Sequence, residues 1–482
     1  MFTNQIDLNL DSEAFTARYG RRKTVATYTL GCKVNQYETA ALEKLFTDAD
    51  FEIADFKEIA DIYVINTCTV TNLGQKKSRQ MIRRAIQHNA DAIIIVTGCY
   101  AQTAPGEVME IFGVDLVIGT QDRPNILQYI RKIVEERRPI NAVSAIWEQK
   151  EFEDMGAPFF GERTRATLKI QEGCTEFCSY CIIPYARGKI RSRKMSSILE
   201  QAKLIVDQGY KEIVLAGIHL GAYGRDMEGV ELADVLEALQ DVTGLERIRI
   251  SSIEATEVNE RILRLMQNSS KFCNHLHLPL QAASDEILQK MNRKYTTEQY
   301  RRIVENIRKR LPNIAITTDL IVGFPGETDE LFMDGYRFIE SMDFADMHVF
   351  KYSKRSGTPA ATMESQILNA VKEQRSHMLI ELNAEKKRQY HEKFLGAVVP
   401  VIVEQKCKDQ SPLLDVTLSD ITRGSGTRLS EPDSSIRQEW YEGHGDNYMK
   451  LVFPAPENII GTVQRILVKQ AGSDYSLGVI VD

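Results

Sequence analysis

Near-continuous apolar runs at 24–30, 61–67, 91–98 and 115–119 open the chain, without the polar alternation of a half-solvated strand. That is the pattern of strands buried on both faces of a parallel sheet. Apolar positions recur at helical spacing between and after them, over roughly 35–49, 75–89, 105–112 and 122–136. The alternation predicts a parallel-sheet α/β domain over 24–140. A mixed linker containing Gly156, Pro158 and Gly161 follows. Six more strand-like runs then alternate with helical segments, at 166–171, 212–216, 247–252, 275–280, 314–321 and 347–352. Six βα units are three-quarters of a (βα)8 barrel, so a partial (βα)6, TIM-like barrel is expected over 160–395. Pro279 departs from strand chemistry and predicts a bulge near the end of its run. A Lys-, Glu- and Arg-rich helical pattern over 366–393 leads into short β-like runs at 396–403, 448–453, 460–467 and 476–481. These predict a small β-barrel over 396–482, interrupted by a long Ser-, Asp- and Thr-rich insertion at 408–438. The fold class is therefore α/β with a C-terminal β-barrel.

The length of 482 residues calls for two to four such domains. With 43% hydrophobic and 26% charged residues the composition is that of a globular protein. No run of 18 apolar residues occurs and residues 1–23 read as polar and irregular, so neither membrane span nor secretion signal is expected. Eight cysteines in this length are too few for a disulfide scaffold and fit metal-binding thiols in the cytoplasm. The net charge of −7 argues against a whole-surface nucleic-acid binder. It leaves two local basic segments, 76–84 and 187–194. Charge runs are commonly solvated faces, but the second directly follows the cysteines described next.

Those cysteines are Cys174, Cys178 and Cys181, spaced Cys-x3-Cys-x2-Cys, with no fourth nearby. Three thiolates holding a [4Fe–4S] cluster leave one iron open to another ligand. A zinc knuckle would pair its cysteines twice or add histidines, and neither is present. Cys32, Cys68 and Cys99 are separated by 35 and 30 residues, yet each follows the end of a predicted parallel strand. All strands of such a sheet end at one edge, so the three thiols should converge there. Each taken alone reads as a buried structural thiol; convergence makes a second cluster the better reading. Cys273 and Cys407 belong to neither trio and read as unligated. The barrel strands end at Gly217-Ile218-His219, Glu254, Gln281, Asp319 and Tyr352. Gly217 would let a ligand approach the backbone closely. Glu254, Gln281 and Asp319 are either cofactor-binding groups or ordinary polar rim residues. His219 reads as a hydrogen-bonding rim residue rather than a metal ligand. Gly323-Phe324-Pro325-Gly326-Glu327 reads as a tight βα turn.

The Cys-x3-Cys-x2-Cys spacing resembles the cluster motif of the radical S-adenosylmethionine enzymes. From about residue 24 onward the chain resembles their methylthiotransferase branch. Within that branch it is most similar to the tRNA N6-threonylcarbamoyladenosine methylthiotransferases. That similarity is carried by Thr29-Leu30-Gly31-Cys32-Lys33-Val34-Asn35-Gln36-Tyr37-Glu38-Thr39, by Asn66-Thr67-Cys68-Thr69-Val70-Thr71-Asn72 and by Lys77-Ser78-Arg79-Gln80-Met81-Ile82-Arg83-Arg84. One departure is Gln281-Ala282-Ala283-Ser284, where the family pattern is Gln-Ser-Gly-Ser. The resemblance implies that the C-terminal barrel is a TRAM domain. It also implies two [4Fe–4S] clusters: a radical-generating one on Cys174, Cys178 and Cys181, and an auxiliary one on Cys32, Cys68 and Cys99. Two S-adenosylmethionine molecules would be used, one for methyl transfer and one for a 5′-deoxyadenosyl radical that abstracts hydrogen from C2 of the base. Gly217, Glu254, Gln281 and Asp319 would then contact S-adenosylmethionine. The implied partners are the tRNA anticodon loop and an electron donor such as flavodoxin or ferredoxin, with the enzyme a monomer. Arg187, Arg191 and Arg193, whose planar forks suit phosphate and base edges, are the expected RNA contacts. Competing readings change the substrate to isopentenyladenosine or a ribosomal protein side chain, or leave a non-catalytic iron–sulfur RNA-binding protein.

Overall fold

A computed structural model describes residues 7–156, 158, 160–161, 163–407 and 439–481; the predicted insertion at 408–438 lies outside the described residues. Its N-terminal sheet consists of β1 (Lys23–Thr29), β2 (Phe51–Ala54), β3 (Ile62–Thr67), β4 (Ile93–Gly98), β5 (Leu116–Val117) and β6 (Ile140–Asn141). All pairings are parallel, in the order β2-β1-β3-β4-β5-β6. The fully buried β3 and β4 lie centrally, as their unbroken apolar runs require. The edge strands β2 and β6 were not anticipated, because four and two residues are too few to show a period. The helix expected at 105–112 is instead two five-residue turns, Cys99–Thr103 and Pro105–Met109, with Pro105 starting the second. The stretch expected to be irregular contains helix Ser12–Tyr19. Asp11 accepts from the Ala14 amide at one end, Gly20 turns left-handed at the other, and Phe15 anchors the helix in the core.

The second unit contains β7 (Arg165–Glu172), β8 (Arg191–Ser192), β9 (Glu212–Gly217), β10 (Arg247–Ile250), β11 (His275–His277), β12 (Ala315–Val322) and β13 (Asp346–Lys351). The sheets β10-β9-β7-β8 and β11-β12-β13 are joined by bridges Ile248↔Phe272 and Ser252↔His277. Six parallel strands thus form an open barrel, with the short antiparallel β8 added at the β7 edge. β11 ends at His277, two residues before Pro279, so its run is shorter than the 275–280 predicted. Leu168, Ile170, Leu215, Ile248, Leu276 and Ile316 bury outward under the helices. Alternation then turns Lys169, Gln171, Glu212, Arg249, His277 and Asp319 into the lumen. A long helix, Asn369–Glu392, leads to the third unit.

That unit is a closed barrel of β14 (Val398–Lys406), β15 (Glu439–Gly445), β16 (Lys450–Ala455), β17 (Val463–Gln470) and β18 (Ser476–Ile480), in the order β14-β15-β16-β18-β17. β15 was missed because its buried positions are Tyr441, Gly443 and Gly445, two of them too small to register as apolar. The barrel docks beneath the open one. Arg249 donates to the carbonyls of Gly445 at 2.9 Å and Asp446 at 3.1 Å, and the His275 and Tyr448 rings stack at 4.6 Å. Glu212 holds the clamp, 2.7 Å from Arg249 and 2.8 Å from Arg247. Burial alone would raise the Glu212 pKa, but Arg249, Arg247 and Arg165 pull it down to about 2. A depressed carboxylate stabilises the fold above its unfolded value of about 4.3 and loses that contribution as pH falls toward 2. We therefore expect unfolding to set in below about pH 4, with a loss of order 3 kcal/mol that Glu212→Gln removes from the acid limb of a stability–pH profile. Among the described residues no helix is long and apolar enough to cross a membrane.

Candidate active site

The chain turns sharply where β7 ends. Gly173 has φ 79°, and a Cβ there would lie 1.7 Å from the Lys189 carbonyl oxygen. Only glycine lets this turn close, and it aims Cys174, Cys178 and Cys181 across the barrel mouth. The loop is fastened by the Cys174 amide to the Gly188 carbonyl (3.0 Å), Ser179 Oγ to the Lys290 carbonyl (2.7 Å) and Asn292 Nδ2 to the Phe177 carbonyl (3.0 Å). Phe177, itself left-handed at φ 47°, stacks on Trp147. Gly173→Ala is expected to open this loop: iron bound there and anaerobic formation of 5′-deoxyadenosine should both fall by more than about tenfold, with the N-terminal unit intact.

Each sulfur has a specific neighbour. Arg293 Nη1 donates to Cys178 Sγ at 3.5 Å while the same guanidinium pairs with Glu254. His219 Nδ1 lies 3.8 Å from Cys174 Sγ and its Nε2 lies 2.8 Å from Glu257 Oε1. Burial lowers the His219 pKa, but Cys174 and Glu257 outweigh it and lift the value to about 10. Burial pushes the Cys178 thiol up and the Cys181 thiol up to about 12. Gly217 ends β9 as expected, and a Cβ there would come within 2.9 Å of Gln171 Oε1, whereas Asp319 lies inside β12, three residues before its end, on the lumen side and not at the rim. Gln281 has φ 66° and its amide donates to the Asp319 carbonyl at 2.8 Å. Asp319 lies between His348 Nδ1 (3.0 Å) and His277 Nε2 (3.3 Å), which hold its carboxyl well below the usual range despite burial. Tyr352 is buried against Phe324. In the Gly323–Glu327 turn, Gly323 and Gly326 are left-handed and the Gly323 amide donates to Glu327 Oε2 at 2.7 Å. Ala283, one of the departures from the family pattern, packs over Gly335, where a Cβ would lie 3.3 Å away.

The other three cysteines meet at the C-terminal edge of the N-terminal sheet. Cys32 is the N-cap of helix Lys33–Asp48, Cys68 follows β3 and Cys99 follows β4. Gly31 and Gly98 precede two of them in the left-handed region. A Cβ on Gly31 would sit 3.1 Å from Cys68 Sγ, and one on Gly98 2.4 Å from Asn66 Oδ1. Burial pushes Cys99 up to about 12, opposed by Arg187 and aided to a lesser extent by the charges of Cys32 and Cys68. Cys273 and Cys407 are buried apart from both trios, the latter beside Val452 and Leu477.

Arg187 joins the two trios. It ends helix Ile183–Arg187, just past Cys181, and its Nε donates to Cys99 Sγ at 3.3 Å. Its Nη1 lies 2.5 Å from Glu38 and 3.2 Å from Glu172, and its Nη2 donates to Asn35 Oδ1 at 2.6 Å. Glu38 also pairs with Arg123 at 2.6 Å and Lys169 at 2.8 Å, all fully buried. The expectation that Arg187, Arg191 and Arg193 contact RNA is therefore corrected. All three are buried, Arg193 paired with Asp154 and Arg191 bonded to the Lys189 carbonyl. The basic run reads as a solvated face only while the acids opposite it, Glu38 and Asp154, are distant in sequence. Glu38, Glu257 and Arg293 were missed for the same reason. Only Glu38, inside the motif that follows Cys32, had a signal that could have found it.

Both trios fit an iron–sulfur cluster. Each offers three thiols from glycine-shaped turns, with a guanidinium aimed at one sulfur to offset the charge of bound thiolates. The raised thiol values mean that metal must displace protons on binding.

Residues 168–339 match the Radical SAM superfamily and residues 24–119 match the Uncharacterized protein family UPF0004. The chain is 48% identical over 459 residues to the threonylcarbamoyladenosine tRNA methylthiotransferase MtaB of Bacillus subtilis, covering 95% of this chain and 96% of that one. It is 39% identical to the protein of that name from Aquifex aeolicus, over 83% and 96% of the two chains. It is 34% identical to the tRNA-2-methylthio-N(6)-dimethylallyladenosine synthase of Acetivibrio thermocellus, over 89% of each. Among solved structures, the radical S-adenosylmethionine methyltransferase TsrM from Kitasatospora setae superposes with a TM-score of 0.53 at 17% identity, covering 70% of this chain and 75% of that one, a likeness of fold. The chain belongs to the radical S-adenosylmethionine methylthiotransferase family, with the [4Fe–4S] and S-adenosylmethionine chemistry that defines it.

Proposed function

We propose that this protein methylthiolates C2 of N6-threonylcarbamoyladenosine beside the anticodon of tRNA, consuming two molecules of S-adenosylmethionine. Cys174, Cys178 and Cys181 hold one cluster and Cys32, Cys68 and Cys99 a second. The observation that carries the reading is Arg187, which ends the helix just past Cys181 and donates to Cys99 Sγ, so that one buried guanidinium stands between the two trios. A cluster on the first trio supplies, when bound, the electron that cleaves S-adenosylmethionine; the chain's part is to position and shield. Gly217, Glu254 and Gln281 line the cofactor's side of the mouth and Asp319 the lumen within it, Glu254 being fixed by Arg293 and Asp319 by His277 and His348. Arg293 and His219 stand beside Cys178 and Cys174, where hydrogen bonds to sulfur tune a cluster's potential. Residues 24–140, 160–395 and 396–482 serve as the auxiliary-cluster, radical and TRAM domains. The 48% identity to a threonylcarbamoyladenosine enzyme, against 34% to a dimethylallyladenosine one, favours the first substrate.

Nucleoside mass spectrometry of tRNA from a strain lacking the protein tests the substrate. We expect 2-methylthio-N6-threonylcarbamoyladenosine to disappear and N6-threonylcarbamoyladenosine to accumulate. Retention of the methylthiolated nucleoside contradicts the assignment.

A further inference from the structure

Lys33, the residue after Cys32 and the first of helix Lys33–Asp48, is an exposed cation with no hydrogen-bond or ion-pair partner among the described residues. It lines a cavity of about 690 Å³ between that helix, the inner face of β7 and the C-terminal barrel, together with Gln36, Arg163, Arg165, Thr167 and Tyr448. Arg165 is paired with Glu404 at 2.7 Å, and Arg163 donates to the Gln36 side-chain oxygen at 3.0 Å. Among the described residues Lys33 donates no hydrogen bond and has no carboxylate within ion-pair reach; Arg165 and Arg249 repel its charge, Glu212 attracts it from farther off, and it acts in turn on His275. The cavity thus holds three cations against the one carboxylate of Glu404, and its size is that of a small-molecule site. A pocket so charged favours an oxyanion. Lys33 connects it to the auxiliary trio, because it directly follows Cys32 in the chain.

We propose that Lys33 receives the carboxylate of the N6 substituent of the substrate adenosine and so selects threonylcarbamoyladenosine over adenosines whose N6 group is apolar. This rests on the substrate reading above. A lysine contributes a compact, mobile ammonium suited to a carboxylate on a flexible side chain, and Gln36 stands beside it to bond the neighbouring hydroxyl or urea. A dimethylallyl group offers no charge, and binding it would leave the ammonium without its partner. A tRNA phosphate has the same oxyanion chemistry, so the test separates the two sources.

Anticodon stem-loops carrying N6-threonylcarbamoyladenosine, unmodified adenosine or N6-dimethylallyladenosine are titrated into the anaerobically reconstituted full chain, as wild type, Lys33→Met and Lys33→Arg. Iron content is measured alongside. Lys33→Met should weaken binding of the threonylcarbamoyl stem-loop about 10- to 100-fold, leave the other two within about twofold, and keep its iron; Lys33→Arg should recover most of the loss. Equal weakening of all three stem-loops would assign Lys33 to a phosphate and overturn the proposal, as would no change at all. If Lys33→Met loses iron, Lys33→Gln, which is polar and shorter, carries the same expectation. Wild type that binds the threonylcarbamoyl stem-loop no better than the dimethylallyl one would refute the substrate reading itself, and the role of Lys33 with it.

Discussion

Cys99→Ala should abolish methylthiolation, by more than about 100-fold, while 5′-deoxyadenosine is still formed from S-adenosylmethionine under reducing conditions. Cys174→Ala should lose both. The split follows from where the sulfurs sit. Cys99 lies at the end of β4 in the N-terminal sheet, whereas the loop bearing Cys174, Cys178 and Cys181 is fastened by Gly188, Lys290 and Asn292, all within the barrel unit. Removing Cys99 Sγ costs Arg187 one partner and leaves its bonds to Glu38, Glu172 and Asn35, so the wall between the trios should stand. Anaerobic product analysis of both variants reads the difference. Equal loss of 5′-deoxyadenosine in Cys99→Ala, or retained methylthiolation, would mean that the two trios do not have separate roles.

The second large effect is on assembly. Glu38 is fully buried and accepts from three cations, Arg123, Lys169 and Arg187, two of which come from the barrel unit. Burial alone would raise its pKa; Arg123, Arg187 and Lys169 hold it well below the carboxylate range. Removing one member of a buried pair costs about 3–5 kcal/mol, because the partner stays desolvated and uncompensated. Glu38→Gln takes one carboxylate from three buried cations at once, leaving Arg123 with Glu153 and leaving Lys169 and Arg187 to share Glu172, and should reach that figure. Arg187→Met leaves Glu38 with two cations and should cost less. Denaturation midpoints of the two variants, with limited proteolysis at the 141–164 connection, test the ordering. If Glu38→Gln is no more destabilising than Arg187→Met, the network does not join the units as described.

Much of this was legible beforehand, and particular residues show why. Cys32, Cys68 and Cys99 could be placed together because parallel strands end at one edge, a rule of topology that needs no side-chain detail. The Cys174–Cys181 spacing is local and carried its own meaning. Arg187 was misread for the opposite reason. Its role depends on Glu38, 149 residues earlier, and on Glu172, which faces it across a turn. A run of charge shows composition but not which acids fold onto it. Likewise His277, Asp319 and His348 come from three different strands and meet only through register. Short elements such as β8 and β15 escaped because two residues, or buried positions filled by glycine, leave no periodic signal.

Iron and acid-labile sulfide per chain, measured on anaerobically reconstituted protein, address the arrangement of the two trios most directly. About eight irons are expected in the wild type, and about four in a variant with Cys32, Cys68 and Cys99 all changed to alanine or in one with Cys174, Cys178 and Cys181 so changed. A wild type with only about four irons, or a Cys32/Cys68/Cys99 variant that keeps the full wild-type content, would contradict it.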